Sequence, residues 1–327
     1  MENLPTKITK NELKITDEFI IEIPNVIVEL GGGASFRFAE YFKSKIRNPN
    51  TRLAYTKAVI KFLNWCETHN LAFNQINPII LGEYFDSLKM ELQITTVKQH
   101  HSAIKKFFDW MVMGHFFPIN PMYSVEAPKY SQRKGKTPVM EPEEARQLLD
   151  SIDTTTTVGL RDKAVIGLML YSFARVGAVL NMNVEDYFLD GRRWKIRLIE
   201  KGSHYRELPL NHKAEEYLVQ YIEAAGIQAD KKTPLFRAFN PKRELTDNRF
   251  KSRDCLDMIK RRARKAGLSD RLGNHSCRGT GITAFLKNGG SLADAQEMAG
   301  HADIKTTRLY DRRGADVTAE LVEMVGI

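Results

Sequence analysis

Several things are scarce or missing in this 327-residue sequence, and each one narrows its class. Cysteine occurs three times, as Cys66, Cys255 and Cys277, too few and too widely spaced for a disulfide framework. That usage fits a reducing, cytoplasmic setting. No apolar run reaches the roughly 18 residues a membrane span needs, and no signal-peptide pattern opens the chain. Paired metal-ligand spacings are missing as well. His275, Cys277 and His301 lie in one region, yet they lack the ligand pattern of a structural zinc site, so no metal or other cofactor is expected.

What remains is an ordinary globular composition, 43% hydrophobic and 27% charged, in a chain long enough for two domains with real cores. The net charge of +9 is unevenly spread. Residues 1–35 hold three Lys/Arg against six Asp/Glu, residues 36–140 hold fifteen against seven, and the rest holds 31 against 27. The middle third is therefore the most basic, the footprint expected of a segment that grips a polyanion.

Residues 1–35 are acidic and end in Gly31-Gly32-Gly33; alternation from Phe19 to Val28 hints at a strand but is broken by Pro24. They read as an arm of uncertain order on a flexible hinge. From 36 to 128 the pattern is helical. Asn50 caps a helix with Val59, Phe62, Leu63 and Cys66 on one face, and a third helix covers Pro78 to Met90. A fourth helix opens at Thr95 or Thr96, with Ile104, Phe107, Phe108 and Met111 as its apolar stripe. Arg52, Lys57 and Lys61 on the second helix, and Lys98, His101 and Lys105 at helical spacing on the fourth, are the candidate DNA contacts. Residues 129–139 form a basic linker, in which Arg133, Lys134 and Lys136 would cross the DNA backbone as a strap.

Beyond the linker a helix starts at Glu141, a buried helix covers Asp162 to Phe173, and a small hairpin pairs Arg192–Ile199 with Tyr205–Leu210 around Lys201-Gly-Ser-His204. Helices follow near His212–Ala225 and Lys251–Ala266. The densest chemistry lies in His275–Tyr310. His275 and Arg278 share a helical first turn, Gly289 and Gly290 end that helix, Ser291 caps the next, and Gly300 closes it before His301. Thr306, Thr307 and Tyr310 are assigned to one further short helix. The result is a cation-rich pocket with a phenol at its edge, suited to a phosphodiester.

H-x-x-R, then Gly300-His301, then a tyrosine nine positions on resembles the C-terminal signature of the tyrosine recombinases, the phage-integrase family. Upstream, Tyr171-Ser-Phe-Ala-Arg175-Val-Gly resembles the segment of the first catalytic arginine, and Glu200-Lys201-Gly202 the hairpin of the catalytic lysine. The resemblance implies a mainly α protein: a SAM-like core-binding bundle at 36–128, and a mostly helical catalytic domain at 140–310 with a small antiparallel sheet. It also implies a tail at 311–327 able to dock on a neighbouring subunit. Two positions depart from the usual pattern, Ala178 in place of an acidic residue and Gly279 in place of a histidine.

The implied chemistry is metal-free and ATP-independent. Tyr310 would attack the phosphorus and form a 3′-phosphotyrosyl link, with His275 as its base. Arg175 and Arg278 would grip the non-bridging oxygens, His301 would add a hydrogen bond to the same phosphate, and Lys201 would protonate the departing 5′ oxygen. The implied partner is double-stranded DNA with inverted-repeat core sites, bound by a dimer per site and a tetramer in synapsis. Two readings compete: a type IB topoisomerase-like nicking enzyme, and a DNA-binding regulator with a relict site.

Overall fold

The computed structural model describes residues 12–16, 19–130, 135–199, 205–312 and 323. The chain divides into two compact units, Met1–Ser131 and Gln132–Ile327.

The first unit is built from three long helices, α3 (Pro49–Thr68), α4 (Pro78–Glu91) and α5 (Ile94–Met113). Each of the first two starts on an asparagine followed by proline, whose fixed φ and missing N–H suit a first helical position. The cap of α3 is Asn48 rather than Asn50: its side chain accepts from Thr51 N at 3.0 Å, leaving Asn50 inside the first turn. Asn77 caps α4 through two backbone amides, those of Ile79 and Ile80. The expected apolar faces of α3 and α5 are buried, and Phe62, Phe107 and Phe108 meet Phe73, Phe38 and Tyr84 edge-on or stacked.

The described residues between 12 and 35 are part of this core rather than a separate arm, and residues 1–11 lie outside the described residues. Strands β1 (Glu12–Thr16) and β2 (Phe19–Glu22) pair antiparallel, with Leu13 opposite Ile21, and bury Leu13, Ile15 and Ile21; Ile23, just past β2, is buried as well. Pro24, two residues past the strand, caps a one-turn helix, α1 (Asn25–Val28), whose Val26 amide donates to Glu67 on α3 at 3.2 Å. The three glycines all take positive φ, forming a left-handed turn into α2 (Ala34–Glu40).

The second unit surrounds α7 (Thr157–Ser172), a helix buried along most of its length. Against it lie α6 (Pro142–Asp150), α9 (His212–Ala225) and α11 (Asn274–Lys287). The expected hairpin, β4 (Arg193–Ile199) with β5 (Tyr205–Pro209), gains a third strand, β3 (Tyr187–Asp190), on the far side of β4. A second small sheet, β6 (Arg237–Phe239) with β7 (Leu245–Arg249), precedes α10 (Ser252–Lys265). Asp162 on α7 is fully buried and receives Arg161 at 2.7 Å, Arg262 at 2.8 Å and Arg261 at 3.3 Å, so a salt-bridge cluster ties α10 to α7. The chain then runs through α12 (Leu292–Ala299) and α13 (Ile304–Arg308).

Candidate active site

Three chain turns make the site. The first is the end of α7, where Phe173 adopts a left-handed conformation, φ 54°, unusual for a bulky residue and costing about 1–3 kcal/mol. It is held there by burial against Ile282 and Leu286 of α11 and Ala295 and Ala299 of α12. The turn exposes the Phe173 carbonyl to Arg278 and starts α8 (Val176–Leu180) at Arg175.

The second turn is the start of α11. His275 lies on its first turn and keeps contact with solvent, whereas Arg278, one turn on, is only 2% exposed. Arg278 donates to Phe173 O and, through Nη2, to Ala299 O at 2.6 Å and to His301 Nε2 at 2.6 Å. One guanidinium thus joins the ends of α7 and α12.

The third turn is Gly300. With φ 59° it closes α12 in the left-handed region and swings His301 back under Arg278. The imidazole is buried, with Nδ1 2.9 Å from Thr307 Oγ1. Burial, then the charges of Arg278, Arg175 and Arg206, push its pKa down to about 3, so the ring is neutral. A guanidinium can only donate, which makes Nε2 the acceptor and places the proton on Nδ1, donated to Thr307. In this arrangement the ring nitrogen of His301 that faces the cluster accepts from Arg278. His275 is also shifted down, by desolvation and then by Arg278 and Arg175, which keeps its imidazole in the proton-accepting form at neutral pH. Arg175 belongs to the same cluster, since its charge acts on both histidines.

Tyr310 lies two residues past the end of α13, not on it. Thr283 of α11 donates to its backbone carbonyl at 3.0 Å, and its ring runs nearly parallel to that of His301, with centroids 6.1 Å apart. The ring rests on Gly279: a Cβ there would fall 3.0 Å from a Tyr310 ring carbon and 3.0 Å from Val139. The missing side chain at 279 is therefore the floor of the tyrosine's position.

Lys201 lies outside the described residues, as do Arg133 and Lys134. The strand that follows Lys201 carries a residue the sequence reading passed over. Arg206 of β5 donates to the carbonyls of Glu297, at 3.0 Å, and Met298. With Arg278 on Ala299, two arginines take three successive carbonyls at the end of α12, where a helix leaves such groups unpaired. Among the described residues no group of three or more His, Cys, Asp or Glu could hold a metal ion.

The phage integrase family model matches residues 138–315, which span all of these turns, and the SAM-like N-terminal domain model of the same family matches residues 37–114. The chain belongs to the phage integrase family. Among its relatives, tyrosine recombinase XerD of Staphylococcus epidermidis is 29% identical over 80% of this chain and 87% of its own length. Tyrosine recombinase XerC of Proteus mirabilis is 28% identical over 67% of this chain and 68% of its own. The XerH site-specific recombinase bound to difH substrate shares the fold, with TM-score 0.68 at 19% identity over 93% of this chain and 96% of that one. So does a lambda integrase dimer bound to a COC′ core site, with TM-score 0.64 at 15% identity over 87% and 79%.

Within the SAM-like region the expected basic helices are present, but their side chains differ in availability. Lys57 and Lys98 are exposed, with the Lys57 ammonium 5.6 Å from the Phe19 ring centre. Lys61 is exposed and paired with Glu91 at 2.7 Å, Lys105 lies over the Tyr123 ring, and Arg52 caps the carbonyls of Ile46 and Arg47. His101 is a correction. It is 5% exposed, packs against Phe85 and bonds Val125 O at 2.8 Å, so it is a core residue and not a DNA contact. Lys136 of the linker is exposed. No helix among the described residues is long and apolar enough to cross a membrane.

Proposed function

We propose that this integrase-family protein is a site-specific recombinase that cuts and rejoins DNA through a 3′-phosphotyrosyl intermediate. The observation carrying the reading is the buried Arg278–His301 pair beneath the Tyr310 ring, with Arg175 and His275 in the same electrostatic cluster. Such a pocket holds positive charge in a fixed geometry before any substrate arrives, the arrangement that stabilises added charge on phosphate oxygens.

In the proposed step the Tyr310 phenol oxygen bonds to phosphorus as the P–O5′ bond breaks. The phenolic proton passes to His275, whose lowered pKa leaves it unprotonated at pH 7. Arg175 and Arg278 neutralise the non-bridging oxygens, His301 holds Arg278 in register, and Lys201 supplies the proton to the departing 5′ oxygen. Reversal by a second strand's 5′ hydroxyl conserves the bond energy, so the chemistry needs no ATP. A dimer on each inverted-repeat site and a tetramer in synapsis would exchange strands through a Holliday junction, in the bacterial cytoplasm where the DNA lies. Of the candidate residues Lys57, Lys98 and Lys136 are exposed, and they would contact its backbone.

The test uses a duplex selected from a random library by its affinity for the protein, then nicked beside the cleaved bond so that religation fails. Incubation should leave a covalent adduct that Tyr310→Phe abolishes. With two intact sites, joint molecules should appear. No adduct would favour a regulator, and adduct without strand exchange would favour a nicking-relaxing enzyme.

A further inference from the structure

Tyr310 is carried by a segment with little regular structure of its own. Helix α13 stops at Arg308, and among the described residues two turn bonds continue it, Tyr310 N to Thr307 O at 2.9 Å and Asp311 N to Arg308 O at 3.1 Å. A short peptide in that state samples many conformations unless something outside it takes up its polar groups. In-line attack tolerates displacements of well under 1 Å. The placement of the phenol must therefore come from neighbours.

Part of the support comes from α11, through Thr283 and Gly279. The remainder comes from the start of the same unit, the three residues 135–137 at the end of the basic linker. Ahead of the tyrosine, Gly135 N donates to Leu309 O at 3.0 Å. Behind it, Arg312 Nη2 donates to Gly135 O at 3.2 Å and to Thr137 O at 3.1 Å. The two strands of chain approach so closely that a Cβ on Gly135 would sit 2.4 Å from Leu309 O, closer than real Cβ contacts come. We infer that Arg312 is a positioning residue for Tyr310, closing with the Gly135–Thr137 backbone a clip that fixes the tyrosine segment from both sides. The inference rests on Tyr310 being the nucleophile. Arg312 reaches both carbonyls through one terminal nitrogen, so a lysine ammonium with its three donors could take over part of the contact.

The experiment compares wild type, Arg312→Ala, Arg312→Lys and Gly135→Ala as full-length proteins. Single-turnover adduct formation is measured on the selected nicked duplex at saturating protein, with DNA affinity and melting temperature measured alongside. Loss of the clip should slow adduct formation by about ten- to a hundredfold, the scale of a small misplacement of a reacting group, while DNA affinity stays unchanged. Arg312→Lys should recover part of the rate. Gly135→Ala should reproduce the loss by pushing on Leu309. A second readout needs no DNA: 3-fluorotyrosine placed at 310 should give a ¹⁹F resonance that shifts or broadens in Arg312→Ala and Gly135→Ala, while the same label at buried Tyr221 does not. Wild-type adduct rates with an unmoved 310 resonance overturn the inference, as does a weakened affinity with no change in rate at saturation, which would make Arg312 a phosphate contact. Persistence of the adduct in Tyr310→Phe would instead overturn the assignment of the nucleophile, a separate result.

Discussion

The two compact units bury opposite kinds of side chain. The helical unit closes on rings, Phe38, Phe42, Phe62, Phe73, Phe107 and Phe108, with Thr56, His100, His101 and Asn120 as its buried polar side chains. The catalytic unit buries Arg161, Asp162, Arg237, Arg278 and His301 within a frame of aliphatic residues. A dry aromatic core is worth what its area and packing are worth, and its residues are interchangeable within limits of volume. Buried ions cost desolvation free energy unless every partner is in place, so such a core specifies a geometry instead of merely a density. The first unit is built to be stable and the second to hold cations where water would otherwise screen them.

The sharpest way to break this contrast is to remove one residue from each core. Arg278→Ala should reduce adduct formation by about 10² to 10⁴, because charge stabilisation at the phosphate is lost together with the tie between α7 and α12. Phe107→Ala, fully buried among rings, should cost about 3–5 kcal/mol in denaturant unfolding yet leave the adduct rate of the folded fraction unchanged. Equal effects of both on rate would erase the distinction between the units.

Acid should weaken the second unit through His301, as it should the first through buried His100, whose pKa is also lowered. The folded-state pKa of His301, about 3, lies below the ordinary value of 6.5, so folding favours the neutral ring. The stability this contributes is complete above about pH 6.5 and is lost progressively as pH falls toward 3. The difference in melting temperature between wild type and His301→Gln, which cannot be protonated, should therefore shrink across that interval. The adduct rate should fall over an acidic range lying below the usual histidine value, as His275 becomes protonated.

The smallest expected effects separate surface from core on a single helix. Lys98→Ala should lower the slope of log affinity against log salt by about one unit. His101→Ala should leave that slope alone and lower stability instead. Both residues sit on α5 three positions apart, but Lys98 is exposed and His101 faces Phe85.

That pair also shows what the amino-acid string did and did not disclose. Spacing placed α5 and its stripe of Ile104, Phe107, Phe108 and Met111, but the edge of a stripe depends on what packs there, and His101 lies on that edge against Phe85 and Val125. The order Arg175, His275, Arg278, His301, Tyr310 stood out through its resemblance to a family signature, since no one of these residues carries a distinguishing signal by itself. The hairpin of β1 and β2 was obscured by Pro24, whose break in the alternation is real but falls after the strand has ended. Arg206 gave no sign at all. Its partners are 91 and 92 positions away and are backbone carbonyls, which every residue possesses. For the same reason nothing in the string linked Gly135 to Leu309, or Arg278 to Phe173.

Those carbonyls have an evolutionary corollary. At the end of α12 the groups that receive Arg206 and Arg278 belong to the peptide itself, so no substitution at Glu297, Met298 or Ala299 can delete an acceptor. Side chains there answer to other pressures, Ala299 and Met298 to their packing in the Phe173 cluster, while the acceptors persist. The weak point is the one residue whose backbone angles let the chain turn, Gly300, and a change there would undo in one step what three neighbours cannot.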